Sequence, residues 1–345
     1  MIEIDGSYGE GGGQLLRTAL SLAAITGQAM RIEQIRARRS RPGLRAQHLA
    51  AVRAAAEICA AQVEGAELDS RSLALVPGKP PQSGHYRWDI GTAGSASLVF
   101  QTVLWPLAFA GARSQVTITG GTHVDWSPPV DYVKRVYLPT LSDHGGSDIA
   151  RVEVKQWGWY PRGGGVMHAT IPGDSPPCGL SLLERGSLRK VSVLSAASNL
   201  PDHVRQRQAE RADHMLRKRG IKPHVDSLAP PSPGQGTMVF VLAEYSHSRA
   251  GFTSYGRIRK PAERVSEEAC RGFARFHKRG QPVDRYLADQ LLLPLALADK
   301  DSCYAVSTIT QHLLTNAWLI QQFMDVHIVI DGTEHEPGVV TVSRS

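Results

Sequence analysis

The apolar positions along the chain change period again and again. Met1 to Asp5 alternates as a short strand, and Gln14 to Thr26 then carries Leu15, Leu16, Leu20 and Leu22 at helical spacing. Met30 to Ala37 alternates again. Leu44 to Ala61 predicts a helix with Leu49, Val52, Ala55 and Ile58 on one face, followed by strands near Gln62–Leu68 and Ser72–Val76. The order then recurs. Tyr86–Ile90 and Gln115–Thr119 read as strands around an apolar helix, Ser97 to Ala110; Val130 to His144 reads as a second helix, and Ile149–Trp157 and Val166–Ile171 as a strand pair. A third instance runs through helix Tyr286 to Leu297, strand Cys303–Ser307, helix Leu313 to Phe323, and strands Val326–Ile330 and Val339–Ser343. The pattern predicts an internal triplication of units of about 70–80 residues, although no repeat by residue identity accompanies it.

The stretch from Leu183 to Gln281 breaks this rhythm. It has its own strands (Leu188–Leu194, Met238–Glu244), a charged helix (Asp202 to Arg219) and a Pro-rich loop, Ala229 to Gly234. Because the repeat resumes after it, residues 183–281 are expected to be a small α/β domain inserted into a larger one formed by 1–182 and 282–345.

Composition narrows the class. A chain of 345 residues with 42% hydrophobic positions can bury substantial cores, which excludes a disordered protein. The longest apolar runs, such as Leu291 to Leu297, fall far short of the roughly 20 residues a membrane-spanning helix needs. The start, Met1-Ile2-Glu3-Ile4-Asp5, is not built as a secretory signal. Four dispersed cysteines form no C-x-x-C pair, which argues against a zinc ribbon or disulfide framework and favours a reducing, cytoplasmic setting. Lys and Arg exceed Asp and Glu by 39 to 32, a net charge of +7. That favours an anionic partner, and the distribution strengthens the point: Arg36, Arg38, Arg39, Arg41 and Arg45 crowd into ten residues with few acids nearby, and arginine grips phosphate bidentately.

Candidate chemistry lies in six places. Gly9-Glu10-Gly11-Gly12-Gly13-Gln14 precedes a helix, where backbone N–H groups and the positive helix end suit an anion. It is neither a dinucleotide fingerprint, since Gln14 stands where the last glycine belongs, nor a Walker loop; alone it also reads as a tight turn. Glu10 in such a nest calls for a bridging cation, making it a candidate magnesium or manganese ligand, and Arg17 lies one turn on. The arginine stretch up to Gln47 is the second place. Gly91 to Ser95 with Gln101 is the third, where a lone amide on an apolar helix equally suits the core. In the fourth, Gly120 to Tyr132, His123 and Asp125 could pair on a metal, or the prolines could simply stiffen a loop. The fifth is Tyr286-Leu287-Ala288-Asp289-Gln290, where Asp289 also complements a helix dipole. The sixth is Thr308 to Trp318. It sets His312 at a helix start, where the cationic ring is disfavoured and the neutral, nucleophilic form persists.

In this order the pieces resemble one family, the RNA 3′-terminal phosphate cyclases. The runs carrying the likeness are Asp5 to Arg17, Ile35 to Leu49, Ala93 to Thr102, Gly120 to Tyr132, Tyr160 to Gly165, Tyr286 to Gln290 and His312 to Asn316, which together span nearly the whole chain. The resemblance implies an α/β fold of three repeats, each a four-stranded sheet with two helices, like the C-terminal domain of translation initiation factor three. A smaller α/β domain is inserted between the second and third repeats. It implies ATP-dependent conversion of an RNA 3′-phosphate to a 2′,3′-cyclic phosphate, through a histidine–AMP adduct and an RNA(3′)pp(5′)A intermediate. It places the nucleophile on His312, the divalent-metal (Mg2+ or Mn2+) carboxylate on Glu10, and the RNA-phosphate ligands on Arg17, Arg36, Arg39 and Gln47. ATP contacts fall on Gln101, Pro129, Tyr286, Leu287, Ala288, Asp289 and Gln290, with Phe252 as an adenine stacker. The partners implied are ATP and an RNA bearing a 3′-phosphate, with no membrane; a homodimer is left open. The chain departs from the family pattern at Ala96, where cysteine is frequent, and at Ala46, where some bacterial members carry arginine. These departures bear on substrate preference. A non-catalytic RNA-binding relative is the main rival, and His312 is the discriminator because that branch lacks the nucleophile. An enolpyruvate transferase typically needs six repeats, and a lysine-dependent nucleotidyltransferase needs a K-x-D-G that is absent.

Overall fold

The computed structural model of the chain describes residues 1–145 and 148–344. Among these residues four four-stranded sheets form, three of them with the same spatial order and the fourth with another. In the first, β1 (Ile2–Asp5) lies parallel to β2 (Met30–Glu33). β3 (Gln62–Glu64) and β4 (Leu73–Val76) close the sheet antiparallel in the order β1-β2-β4-β3. The two crossover elements are helices α1 (Gly13–Thr26) and α2 (Ala46–Cys59). The second sheet repeats this with β5 (His85–Asp89), β6 (Ser114–Gly120), β7 (Arg151–Gln156) and β8 (Gly165–Ile171). Its crossover elements are α3 (Ala96–Ala108) and a helical stretch made of α4 (Val130–Tyr132), a π-turn at Val133–Tyr137 and α5 (Leu138–Gly145). The predicted helix over 130–144 is therefore real but wound wider at its centre.

The third sheet begins earlier than the sequence suggests. Its first strand is β9 (Ser181–Leu182), ahead of the non-repeating stretch. That stretch builds the fourth sheet from β10 (Leu188–Ser198), β11 (His224–Leu228), β12 (Gly236–Tyr245) and β13 (Arg249–Tyr255), ordered β11-β10-β12-β13, with helices α6 (Asp202–Arg217) and α7 (Ala262–Arg279). The third sheet is then completed by α8 (Leu287–Gln290), α9 (Leu292–Leu297), β14 (Ser302–Val306), α10 (Gln311–Phe323), β15 (Val326–Gly332) and β16 (Gly338–Arg344), in the order β9-β14-β16-β15.

β10 and β12 are buried on both faces, which is why they read as near-continuous apolar runs. Leu194, Ala196, Met238, Phe240 and Leu242 join the core shared with the three repeated sheets. Their neighbours Val191, Val193, Val239, Val241 and Ala243 join a second core. That core is closed by one stripe of α7 carrying Val265, Ala269, Phe273 and Phe276. No helix of the described residues is long and apolar enough to cross a membrane.

Predicted strand Met30–Ala37 stops at Glu33 because Gln34 (φ 53°) and Arg36 (φ 55°) turn left-handed and lift the arginine loop off the sheet edge. Helices α1 and α10 pack side by side, which brings the glycine turn of the first repeat onto the start of the last repeat's second helix.

Candidate active site

His312 stands in the first turn of α10, a helix capped by Thr310, whose Oγ1 accepts from the Leu313 N–H at 3.2 Å. Residues 8–12 of the glycine turn lie across this helix end. Gly9 has a left-handed φ of 59°, and a Cβ there would collide with Thr315 Oγ1; glycine is required on both counts. The close approach sets Glu10 Oε2 at 2.7 Å from His312 Nε2, while Glu10 Oε1 takes Arg39 Nη2 at 2.6 Å.

The other ring nitrogen faces a relay. Gln14 Nε2 donates to Asp289 Oδ2 at 2.5 Å, so its amide oxygen is the acceptor turned toward His312 Nδ1, also at 2.5 Å. Nδ1 must then carry the proton, which leaves Nε2 as the basic nitrogen. Asn316 Nδ2 donates to the Asp289 carbonyl at 3.0 Å and ties α8 to the same helix. Burial lowers the His312 pKa. The Glu10 carboxylate opposes that shift, and Arg17, Arg39 and Arg285 reinforce it, so the ring stays neutral near neutral pH. Burial pushes the Asp289 carboxyl up to about 7 despite the Arg17 guanidinium, and burial also lowers Arg17 to about 10. His48, beneath Gly13, is driven down to about 3 by burial and by Arg17, Arg36 and Arg45; it is a neutral packing group. Two buried oxygens under the turn, Thr315 Oγ1 and Asn316 Oδ1, have no partner among the described residues.

The arginine loop divides its labour. Arg39 reaches Glu10, and Arg38 Nη1 donates to the Gly9 carbonyl at 2.8 Å. Arg36 Nη1 instead donates to the Arg41 and Gly43 carbonyls at 2.8 and 2.7 Å, folding its own loop. Arg45 pairs with Asp69. Gln47 Oε1 accepts from the Ser95 N–H at 3.1 Å, so it pins the second glycine turn to the first repeat. Of the four expected phosphate ligands, Arg17 and Arg39 lie at the histidine; in this structure Arg36 and Gln47 hold loops.

The expected nucleotide segment forms a second wall. Gln101 Nε2 donates to Gln290 Oε1 at 2.5 Å, linking α3 to α8. Pro129 starts α4, its carbonyl accepting from the Tyr132 and Val133 N–H groups. Tyr286 is exposed, whereas Leu287 and Ala288 are buried side chains, and the Ala288 carbonyl accepts from Tyr304 Oη at 2.8 Å. Phe252 does not reach this wall. It is only 6% exposed and sits in the second core with Phe273 and Phe276, on the opposite side of β13 from Gly251, whose position faces Tyr132. Strand alternation turns its ring into the second core. The His123–Asp125 pairing is likewise not formed. His123 is buried, bonds Asp131 Oδ2 at 3.0 Å and stacks on Trp157, while Asp125 pairs with Arg257 at 3.2 Å.

Asp284 is the residue that sequence reading missed. Wholly buried, it accepts from Tyr132 Oη (2.9 Å) and from the Tyr286, Leu287 and Gly251 N–H groups (2.8, 3.0 and 3.3 Å). It joins the second repeat, the fourth sheet and α8 at one point. Burial nevertheless raises its pKa to about 6. Asp284→Ala leaves this set of donors without an acceptor. It is expected to cost about 3 kcal/mol or more of stability in denaturant titration, at roughly 1–3 kcal/mol per orphaned buried group. A loss below 1 kcal/mol would show that the junction is not held there.

A histidine with a fixed tautomer, arginines around a glycine turn, and an open wall of amides define an enzyme that handles phosphate groups. The chain belongs to the RNA 3′-terminal phosphate cyclase family, whose pattern it matches over residues 8–330. It is 50% identical to the RNA 3′-terminal phosphate cyclase of Trichormus variabilis across 99% of both chains. The protein of that name from Methylococcus capsulatus is 46% identical, over 96% of this chain and 95% of its own. That of Pyrococcus abyssi is 41% identical, over 100% and 99%.

Proposed function

We propose that the protein converts an RNA 3′-phosphate to a 2′,3′-cyclic phosphate at the expense of ATP, with His312 as the nucleophile. The observation that supports this reading most is the Asp289–Gln14–His312 relay, which leaves Nε2 basic beside Arg17 and Arg39. Nε2 attacks the α-phosphorus of ATP, the bond to the β-phosphate oxygen breaks, and pyrophosphate leaves; the ring keeps its Nδ1 proton on Gln14. An oxygen of the RNA 3′-phosphate then attacks the adenylate phosphorus, and the P–N electron pair returns to Nε2. The neighbouring 2′-hydroxyl finally attacks the 3′-phosphorus, expels AMP and gives its proton to solvent. A phosphate monoester has a poor leaving group, so adenylation followed by an intramolecular attack replaces one hard step with easier ones.

Glu10 Oε2 lies 2.7 Å from His312 Nε2, so this contact must open before Nε2 attacks. No three His, Cys, Asp or Glu side chains among the described residues converge as a metal cage. Glu10 alone fits a magnesium-class ion, which commonly takes one or two carboxylates plus substrate phosphates. Such an ion supplies neutralisation of phosphate charge. The reading keeps residues 183–281 as an inserted domain, and a cytoplasmic setting.

The overall test is mixing ATP with an RNA carrying a labelled 3′-phosphate. The label should become phosphatase-resistant with stoichiometric AMP; a label that stays phosphatase-sensitive defeats the proposal. Arg39→Ala should reduce RNA cyclisation about 10- to 100-fold, the value of a charge-assisted phosphate contact, and self-adenylylation by much less. Equal losses in the two assays would remove Arg39 from the RNA site.

A further inference from the structure

The glycine turn carries one side chain that the phosphate chemistry does not use. Tyr8 stacks on Trp318 with ring centroids 4.0 Å apart and planes inclined by 22°. It remains 42% exposed. Three consecutive turn residues map back along α10. Tyr8 lies on Trp318, Gly9 lies against Thr315 and Gln311, and Glu10 reaches His312. The aromatic pair is therefore continuous with the histidine and arginine cluster, about 9 Å from the nucleophile along the helix axis.

We propose that the outer face of the Tyr8–Trp318 pair is a stacking platform for the base of the RNA's 3′-terminal nucleotide, an inference that rests on the cyclase reading above. The terminal phosphate would be held beside Arg17 and Arg39, and the base attached to the same nucleotide needs a surface close by. Single-stranded RNA ends are recognised mainly by laying unstacked bases on aromatic rings, which tolerates any base because each has a π-face. The pair suits that use. Tyr8 is fixed by its own turn, its N–H donating to the Asp5 carbonyl and its carbonyl accepting from the Gly11 N–H, both at 3.1 Å. Trp318 backs it from below, so the platform is in place before the ligand arrives and little ordering is required on binding. The ATP wall runs along Gln101, Gln290 and Tyr286 on other elements, which assigns the platform to RNA rather than adenine.

The test compares Tyr8→Leu, which still covers Trp318 but removes the π-face, with Tyr8→Phe, which restores it. Stacking is worth about 1–3 kcal/mol per base, so Tyr8→Leu should lower kcat/KM for a 3′-phosphorylated RNA by about 5- to 150-fold. Most of that loss should lie in KM. Tyr8→Phe should stay close to wild type, and self-adenylylation without RNA should be unchanged in both. An RNA whose 3′-terminal nucleotide lacks its base should be a poor substrate for the wild type and no worse for Tyr8→Leu. An unaltered KM in Tyr8→Leu overturns the platform, and so does an equal loss of self-adenylylation, which would place adenine there. Should Tyr8→Leu fail to fold, wild-type protein can be irradiated with RNA carrying a 3′-terminal 5-iodouracil. Crosslinking to Tyr8 or Trp318 supports the platform, and crosslinking confined to other residues overturns it. If wild-type protein cyclises no RNA, the cyclase reading itself has failed, which is a separate result from any Tyr8 effect.

Discussion

His312→Ala is expected to abolish covalent adenylation. Incubated with ATP labelled at the α-phosphate and resolved on a denaturing gel, the wild-type protein should carry an acid-labile, alkali-stable label, and γ-labelled ATP should give none. The variant should fall at least about 10³-fold below wild type, because removing the nucleophile removes the covalent route rather than weakening it. The side chain is 45% exposed and packs little apolar surface, so the thermal transition should move hardly at all. That separation distinguishes chemistry from folding. Retained labelling would refute His312 as the nucleophile. Absence of label in the folded wild type would shift the balance to an RNA-binding relative with no adenylation step.

What the sequence disclosed, and what it withheld, follows from the range of each signal. The repeat was legible because strand and helix periods are local, and the order 1-2-4-3 recurs in the three repeated sheets. The start of the third repeat was not, because β9 is two residues long and draws its pairing from β14, more than a hundred residues on. His312, Glu10 and Arg39 were legible as residue types suited to phosphate chemistry, and they meet in space. Arg36 was expected at the phosphate site from the charge cluster and the family resemblance, yet its guanidinium is taken by carbonyls of its own loop, a contact that depends on a left-handed backbone. Phe252 was placed as an adenine stacker by the resemblance. Which side of β13 it faces depends on a two-residue period set by pairing with β12. Asp284 gave no signal because its donors come from residues 132, 251, 286 and 287, which only the tertiary fold assembles. Gln14 stood in plain view three residues before Arg17, on one face of α1, and that spacing could have marked it as a member of the same site.

Gln14→Leu is the sharper test of the relay. The substitution keeps most of the side-chain volume and removes both polar contacts at once. Asp289 loses the donor at 2.5 Å and His312 Nδ1 loses its acceptor. Without that acceptor the ring is free to place its proton on either nitrogen, and the tautomer with a basic Nε2 is no longer selected. Loss of an orienting partner behind a reactive histidine costs about 10- to 100-fold, and the upper end is expected here because the amide both orients the ring and couples it to Asp289. The Asp289 carboxyl, pushed up to about 7 by burial, ionises across neutral pH. Once ionised it accepts more strongly from Gln14, which polarises the amide oxygen and makes Nε2 more basic. The single-turnover rate of adenylate formation in the wild type should therefore rise through pH 7. In Gln14→Leu it should be depressed at every pH and lose that rise, while ATP affinity changes little. Gln14→Glu restores an acceptor for Nδ1–H and should recover part of the rate. A Gln14→Leu rate within about twofold of wild type, with the pH dependence intact, would mean that His312 is oriented by its helix and Glu10 alone, and the relay would have no part in the chemistry.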